Sequence, residues 1–261
     1  MNKITNEILK HQQTAIDKNY LVFGTYLQGS QNYKLDLPTS DVDTKTIVIP
    51  TFEDIALNRK PISTTHILDD NSHDDQKDIR LMFSTFHKQN INFLEILFTD
   101  YYIPNPIFKE ENEELREMAD DIAQISERRL ISCVKGMAYE KFKALEHPYP
   151  ATIDKIKKFG YDPKQLHHIL RLQEFIQRLY NGEKFRDCLI SKNIQYLISV
   201  KAGFVDLETA RVIASLSVNE IVDTASKFDQ DKKANNDIID RMNDLLIRVL
   251  KKSLLDEMGI D

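Results

Sequence analysis

Cysteine is almost missing from this chain: Cys133 and Cys188 are the only two, far apart and without a Cys-x-x-Cys pair. That argues against a disulfide scaffold or a thiolate zinc site and predicts two reduced, buried thiols of the kind a cytosol maintains. An excess of positive charge is missing as well. The formal net charge is −6 and the pI is near 5.7, which speaks against a generally basic nucleic-acid binder and leaves room only for a local basic patch. No run reaches the roughly 18 apolar residues of a membrane span. The opening residues, Met-Asn-Lys-Ile-Thr-Asn-Glu-Ile, have no apolar core of a secretory signal. A cytoplasmic protein that makes no use of a membrane is therefore the expectation. No phosphate-binding Gly-x-x-x-x-Gly-Lys loop, no Gly-x-Ser-x-Gly elbow, no internal repeat and no low-complexity tract occurs.

What is present suits a folded chain. With 261 residues, 41% apolar and 29% charged, it can bury one large core or two modest ones. Residues 4–17 place Ile4, Ile8, Leu9 and Ile16 at helical spacing. The β-branched and aromatic runs 20–28 and 41–49 read as strands, the second stopped by Pro50. Thr51 with Asp54 reads as the capping box of a short helix over 51–58. Residues 63–68 and 77–82 read as strands flanking a polar hairpin loop at 69–76, followed by a helix over 83–98 and a short extended piece at Tyr101. After Pro106 the pattern turns helical, with candidate helices at 108–119, 121–146, 163–181, 184–200, 206–214, 217–228 and 232–257. The expected fold is α+β: an N-terminal domain over 1–106, with a small mixed β-sheet flanked by helices, and a C-terminal helical bundle domain over 107–261.

The chemistry is concentrated in the stretch from Leu27 to Pro50. A turn at Gly29-Ser30 ends the first strand, and the second opens with Asp41 and Asp43. Alternation along a strand points both carboxylates the same way, roughly 7 Å apart at the backbone. Two carboxylates beside an anion-binding turn are the parts that hold a divalent cation and a triphosphate together. A two-ion site also needs a third acid on a neighbouring strand. Asp78, at the head of the expected strand 77–82, is the first choice; Asp69, Asp70, Asp74 and Asp75 rank below it, because a flexible loop positions a ligand less well.

Gly29-Ser30, ten intervening residues and then Asp41-x-Asp43 resemble the signature of the polymerase-β superfamily of nucleotidyltransferases. Gly29-Ser-x-x-Tyr33, Pro38-x-Ser-Asp-x-Asp-x-Lys45, Asp78-x-x-x-Met82 and the run from Asn92 to Thr99 look like one branch of it. That branch comprises predicted enzymes of bacteria and their phages, near those associated with RNA repair. In the helical half, Lys135-Gly-Met with Lys141, and Gly160-Tyr-Asp-x-Lys164 with His168-x-x-Arg171, fit the same branch, so the resemblance spans roughly 20–200. It implies a nucleotidyltransferase domain using Mg²⁺ or Mn²⁺, with Asp41, Asp43 and Asp78 as catalytic metal ligands. Gly29, Ser30, Lys164, His168 and Arg171 would bind an NTP such as ATP. An NMP would pass to an acceptor hydroxyl on RNA, a protein or a small molecule, RNA being favoured, with release of pyrophosphate. One position departs from the pattern: many relatives have glycine where this chain has Lys34.

The rival readings are weaker. A module of the same fold that binds nucleotide without turnover is the alternative to an enzyme. Arg80 and His87 match a loose ribonuclease spacing but are expected to straddle a strand and a helix. His66, His73 and Asp74 hint at a phosphohydrolase without helical partners to complete it. Lys164, His168 and Arg171, spaced four and three apart, share a helix face, which reads equally as a solvated basic face. Glu95 reads as a structural charge in an apolar run, paired with a buried Arg or Lys, with a cleft-lining role as the alternative. Tyr161, Lys135 and Lys141 carry weaker versions of the basic-face reading, and His167 reads as packing or surface.

Overall fold

Strand β2 (Asp43–Ile49) has six of its seven residues buried, as expected of a strand with neighbours on both edges and cover on both faces. A computed structural model of the chain describes residues 3–38, 40–68, 70–229 and 231–259. The chain opens with α1 (Lys3–Ile16), whose buried residues Ile8, His11 and Ala15 recur on one face. Then come β1 (Leu21–Gln28), a 3-10 turn at Ser30–Tyr33, β2, and α2 (Phe52–Ala56), where the expected Thr51–Asp54 capping box is formed. β3 (Ser63–Ile67) and β4 (His73–Asp78) follow, then α3 (Ile79–His87), α4 (Ile91–Leu94), β5 (Tyr102–Pro104), α5 (Lys109–Glu117) and α6 (Ala119–Ile122).

The five strands form one mixed sheet in the order β3-β4-β2-β1-β5. β2 and β4 run parallel, and the other three pairings are antiparallel. Alternation gives the sheet two distinct faces. Leu27, Val42 and Ile8 pack in one apolar cluster and Ala15, Val22 and Val48 in another, so α1 covers the face carrying Thr44, Thr46 and Val48. Asp43, Lys45 and Ile47 belong to the opposite face.

β4 is where the chain departs from expectation. His73-Asp-Asp-Gln-Lys-Asp78 has no apolar side chain, which is why 69–76 reads as a loop, yet it pairs with β2 on one edge and β3 on the other. Its inward side chains find partners instead of water. Asp74 Oδ1 accepts from the Thr44 and Thr46 hydroxyls at 2.9 and 2.7 Å, and its Oδ2 from Gln76 Nε2 at 2.8 Å. His11 bridges Thr44 Oγ1 at 2.7 Å and Ser72 Oγ at 2.9 Å. The expected strand 77–82 is in fact the end of β4 followed by helix: Ile79, Met82, Phe83 and Phe86 are buried at helical spacing. α3 ends at His87, and α4 and a 3-10 turn at Glu95–Leu97 replace the rest of the helix expected over 83–98.

Clustering of the chain gives two compact units. The first comprises Met1–Asn32, Thr39–Ser126 and Ala234–Asp261; the second comprises Tyr33–Pro38 and Glu127–Lys233. The division thus falls at Ser126 rather than at 106, and the last helix returns to the first unit. In the second unit, α7 (Glu127–Ala144), α8 (Ile153–Phe159), α9 (Pro163–Tyr180), α10 (Phe185–Cys188), α11 (Ile194–Lys201) and α12 (Leu207–Ser226) form a helical assembly. α9 packs on α7, α11 and α12. α12 joins the two helices expected at 206–214 and 217–228, since no Gly or Pro separates them. α13 (Asn236–Glu257) lies against α3, α5 and α6, with Arg248 on Glu114 and Lys252 on Glu111. The architecture is α+β with a small mixed sheet and many helices. Cys133 and Cys188 are free thiols, and burial pushes Cys188 up to about 11. Among the described residues no helix is long and apolar enough to cross a membrane.

Because Asp74 is fully buried with three donors on it, Asp74→Ala leaves both threonine hydroxyls and an amide without their acceptor. A loss of about 3 kcal/mol is expected, read from the urea unfolding midpoint.

Candidate functional site

Gly29 ends β1 with a φ of +84°, a backbone conformation that a Cβ would strain. A Cβ built there would lie 3.8 Å from Asp43 Oδ2, so the bend runs directly beside that carboxylate. The turn is fastened from several directions. The Gly29 N–H donates to Glu95 Oε1 at 3.3 Å, Asn32 Nδ2 donates to Leu27 O at 2.8 Å, and Thr99 Oγ1 donates to Asn32 Oδ1 at 2.7 Å. Glu95 is buried; its hydrogen bond to the turn gives the charge in that apolar run a definite task. No spacing in the sequence announces this contact, because it joins residues 66 positions apart.

Asp43 opens β2, and its Oδ1 accepts from the His73 N–H at 2.9 Å. Asp41 precedes the strand and is exposed; Gln31 Nε2 holds its carbonyl at 2.5 Å. Val42 turns into the cluster with Ile8 and Leu27; β2 begins at Asp43, two residues later than the strand expected over 41–49, so Asp41 stands in the segment that leads into it. Gly29, Ser30 and Asp43 meet at one end of the β1–β2 pair, with Asp41 two residues ahead of Asp43 in the chain.

Asp78 does not join them. In the parallel register it stands opposite Val48, five positions along β2 from Asp43, or roughly 16 Å. It also belongs to the α1-facing side. Its carboxylate caps α3, accepting from Arg80 N at 2.8 Å, Nε at 3.0 Å and Nη2 at 2.6 Å. The three-carboxylate convergence expected of Asp41, Asp43 and Asp78 is not built, because the strand carrying Asp78 begins four residues earlier than the apolar pattern indicates.

The acid that the register brings to the face of Asp43 is Asp75. It pairs with Lys45, about 8 Å from Asp43 between backbones. Lys45 Nζ at 3.1 Å and Gln28 Nε2 at 3.3 Å donate to its Oδ2, and Thr65 Oγ1 donates to its Oδ1 at 2.6 Å. Burial raises its pKa, but the Lys45 charge and these hydrogen bonds outweigh burial and hold it below the usual carboxylate range. Lys45 is buried, and desolvation lowers its pKa against the pull of Asp75. The ring of Phe93 lies 4.3 Å from the Lys45 ammonium and 4.4 Å from that of Lys77. Of the remaining candidates, Asp74 faces α1, Asp70 accepts from Ser72 and pairs with Lys10, and Asp69 lies outside the described residues.

Among the described residues no group of three His, Cys, Asp or Glu side chains is arranged to hold an ion. Magnesium is ordinarily held by one or two carboxylates together with substrate phosphates. Asp41 and Asp43 fit that smaller requirement; Asp75 fits only if Lys45 gives up its place to a cation.

Lys164, His168 and Arg171 are brought together on α9, in the second unit. The Arg171 guanidinium stacks 3.5 Å over the Tyr33 ring. Burial, then the neighbouring His167, Arg171, Lys164 and Lys141, push His168 well below its ordinary value. The Tyr161 hydroxyl donates to Val205 O at 2.8 Å, a structural use. Lys34 adopts a left-handed φ of 57°, which explains why glycine suits that position and costs a lysine about 1 kcal/mol.

The rivals fare unevenly. Arg80 and His87 lie on one helix rather than straddling two elements, but Arg80 is held by Asp78. His73 and Asp74 point to opposite faces of the sheet, so no phosphohydrolase cluster forms. Compared with protein-family models and with curated proteins, the chain matches none.

His11 and His167 are buried, and burial lowers both, His167 to about 3. Unfolded, each titrates near its ordinary value of about 6.5. The stability they confer by staying neutral is present above that pH and is lost as pH falls through it, by about 2 kcal/mol at pH 5 for His167, whose folded value lies well below that pH. Urea midpoints at pH 7 and pH 5 are expected to show this loss, and His167→Leu is expected to remove one histidine's share.

Proposed function

We propose that the chain is a cytosolic, metal-dependent nucleotidyltransferase that moves an NMP from an NTP to an acceptor hydroxyl and releases pyrophosphate. The observation that carries this reading is the left-handed bend at Gly29 running beside the Asp43 carboxylate, with Asp41 two residues ahead of it in the chain. Asp41 and Asp43 are the residues that would hold Mg²⁺ or Mn²⁺ here. When bound, the cation would neutralise charge developing on the transferring phosphoryl group.

The chain's own parts have narrower tasks. Gly29 contributes space rather than a phosphate contact, since its N–H is engaged by Glu95 and only the missing Cβ lets a triphosphate approach Asp43. Ser30 contributes a hydroxyl at the mouth of the turn. Asp75 would take over from Asp78 as the third acid on this face once a cation displaces Lys45 from it. The acceptor chemistry suits an RNA 3′ end, a protein hydroxyl or a small molecule, and the resemblance favours RNA. One observation favours the alternative, a nucleotide-binding module without turnover: Asp75 is already neutralised by Lys45.

Transfer of α-labelled NTP in Mg²⁺ tests both. Asp43→Asn is expected to lower the rate by about 10³-fold or more, whereas Asp78→Asn, remote from the reacting face, changes it less than about threefold and lowers stability by about 2 kcal/mol. Full activity in Asp43→Asn overturns the enzyme reading. A wild type that labels no acceptor, yet binds NTP as tightly as Asp43→Asn does, makes the binding module correct.

A further inference from the structure

α9 carries a buried side chain with nothing to bond to. His167 is 2% exposed, and neither ring nitrogen has a hydrogen-bond partner among the described residues. A neutral imidazole always presents one donor and one acceptor, and buried polar groups are seldom left unpaired. Its surroundings are cationic. Lys164 stands one turn before it on α9 and Arg171 one turn after, and Lys201 approaches from α11. All three lie close enough to lower the ring's proton affinity.

The cations also act on one another. Lys201 is lowered first by burial and then by Lys164, with Arg171 and Lys155 adding to it, and Asp36 opposes them. Asp162 does little to balance the group, because its carboxylate is engaged by Lys164 N, Gln165 Nε2 and Lys155. Like charges gathered around a desolvated ring are unfavourable unless an anion joins them. The heads are also held in place. Tyr33 stacks under the Arg171 plane, and Lys201 Nζ donates to Leu35 O at 2.8 Å. Segment Tyr33–Pro38 thus belongs to this unit, although it directly follows the Gly29 turn in the chain.

We propose that Lys164, His167, Arg171 and Lys201 form a phosphate-binding site in the helical unit, one that takes the polyphosphate of a nucleotide or the terminal phosphate of an RNA strand without a metal ion. A planar fork, two point charges and a neutral imidazole suit a group with several acceptor oxygens and about two negative charges. A lone carboxylate leaves most of these donors unused. The inference deepens the nucleotidyltransferase reading by giving α9 a ligand class and adding His167 and Lys201 to it, but it does not depend on Asp41 or Asp43.

The test uses the full chain in EDTA. Wild type is expected to bind tripolyphosphate by calorimetry, more weakly as salt rises. Arg171→Met and exposed Lys164→Met each weaken binding about tenfold, while Lys143→Met on α7 and Asp43→Asn leave it unchanged. The His167 ring resonances shift when tripolyphosphate is added, which a packing role would not produce. Displacement by a 5′-phosphorylated oligoribonucleotide, but not by its 5′-hydroxyl form, assigns the site to an RNA end. Displacement by ATP alone assigns it to a free nucleotide. No binding in EDTA, or binding indifferent to both substitutions, overturns the proposal, even if Asp43-dependent transfer is intact.

Discussion

A carboxylate taken out of water must be held by the protein, and Asp74 is held by two threonine hydroxyls and an amide on the covered face of the sheet. That set of hydrogen bonds fixes how β4 lies against β2. A slip of one residue would turn every side chain of β4 to the other face, exchanging Asp74 for Asp75 and burying the acid that now pairs with Lys45. An apolar strand would resist such a slip through its hydrophobic pattern. β4 has no such pattern and is specified by polar partners instead. Which aspartate of β4 shares the face of Asp43 therefore depends on a network on the far side of the sheet.

The face that carries Asp43 follows from that register. Asp43 and Asp75 share a face with Gln28 and Lys45, and the bend at Gly29 closes one end beside Asp43. The turn is held by its own Asn32, which bonds back to Leu27 and Gly29, and by Glu95 from a distant part of the chain. The buried ammonium of Lys45 offsets one of the clustered carboxylates, which makes gathering several acids on one face less costly. Asp78 illustrates the opposite outcome: an acid in a plausible place in the sequence becomes a helix cap tied to Arg80.

The helical unit shows the complementary imbalance. Around α9, cations collect about a buried imidazole with few acids to answer them, whereas other charges of the same unit are matched. Arg178, for example, is satisfied by Glu183 and by the carbonyls of Asp187 and Ile190. A cluster of like charge beside a buried imidazole whose nitrogens have no hydrogen-bond partner among the described residues suits binding better than packing.

Strong local signals were readable in the sequence. The helix of α1, though not its face, since Leu9 and Ile16 are exposed and His11 and Ala15 buried, the capping box at Thr51, the two strands around Gly29 and the helical character beyond Pro106 all follow from periodicity and turn chemistry, which act over a few residues. The alternation expected to align Asp41 with Asp43 does not apply, because β2 begins at Asp43 and Asp41 stands ahead of it. What lay beyond the sequence was every decision made by partners distant in the chain. That His73–Asp78 is a strand depends on Thr44, Thr46 and His11 being there to satisfy it. Which aspartate meets Asp43 depends on a parallel register, and that His167 lies buried among lysines depends on α11 returning to α9. Local pattern carries backbone preference, but the satisfaction of buried polar groups is a property of the packed chain, and the tertiary structure alone decided it.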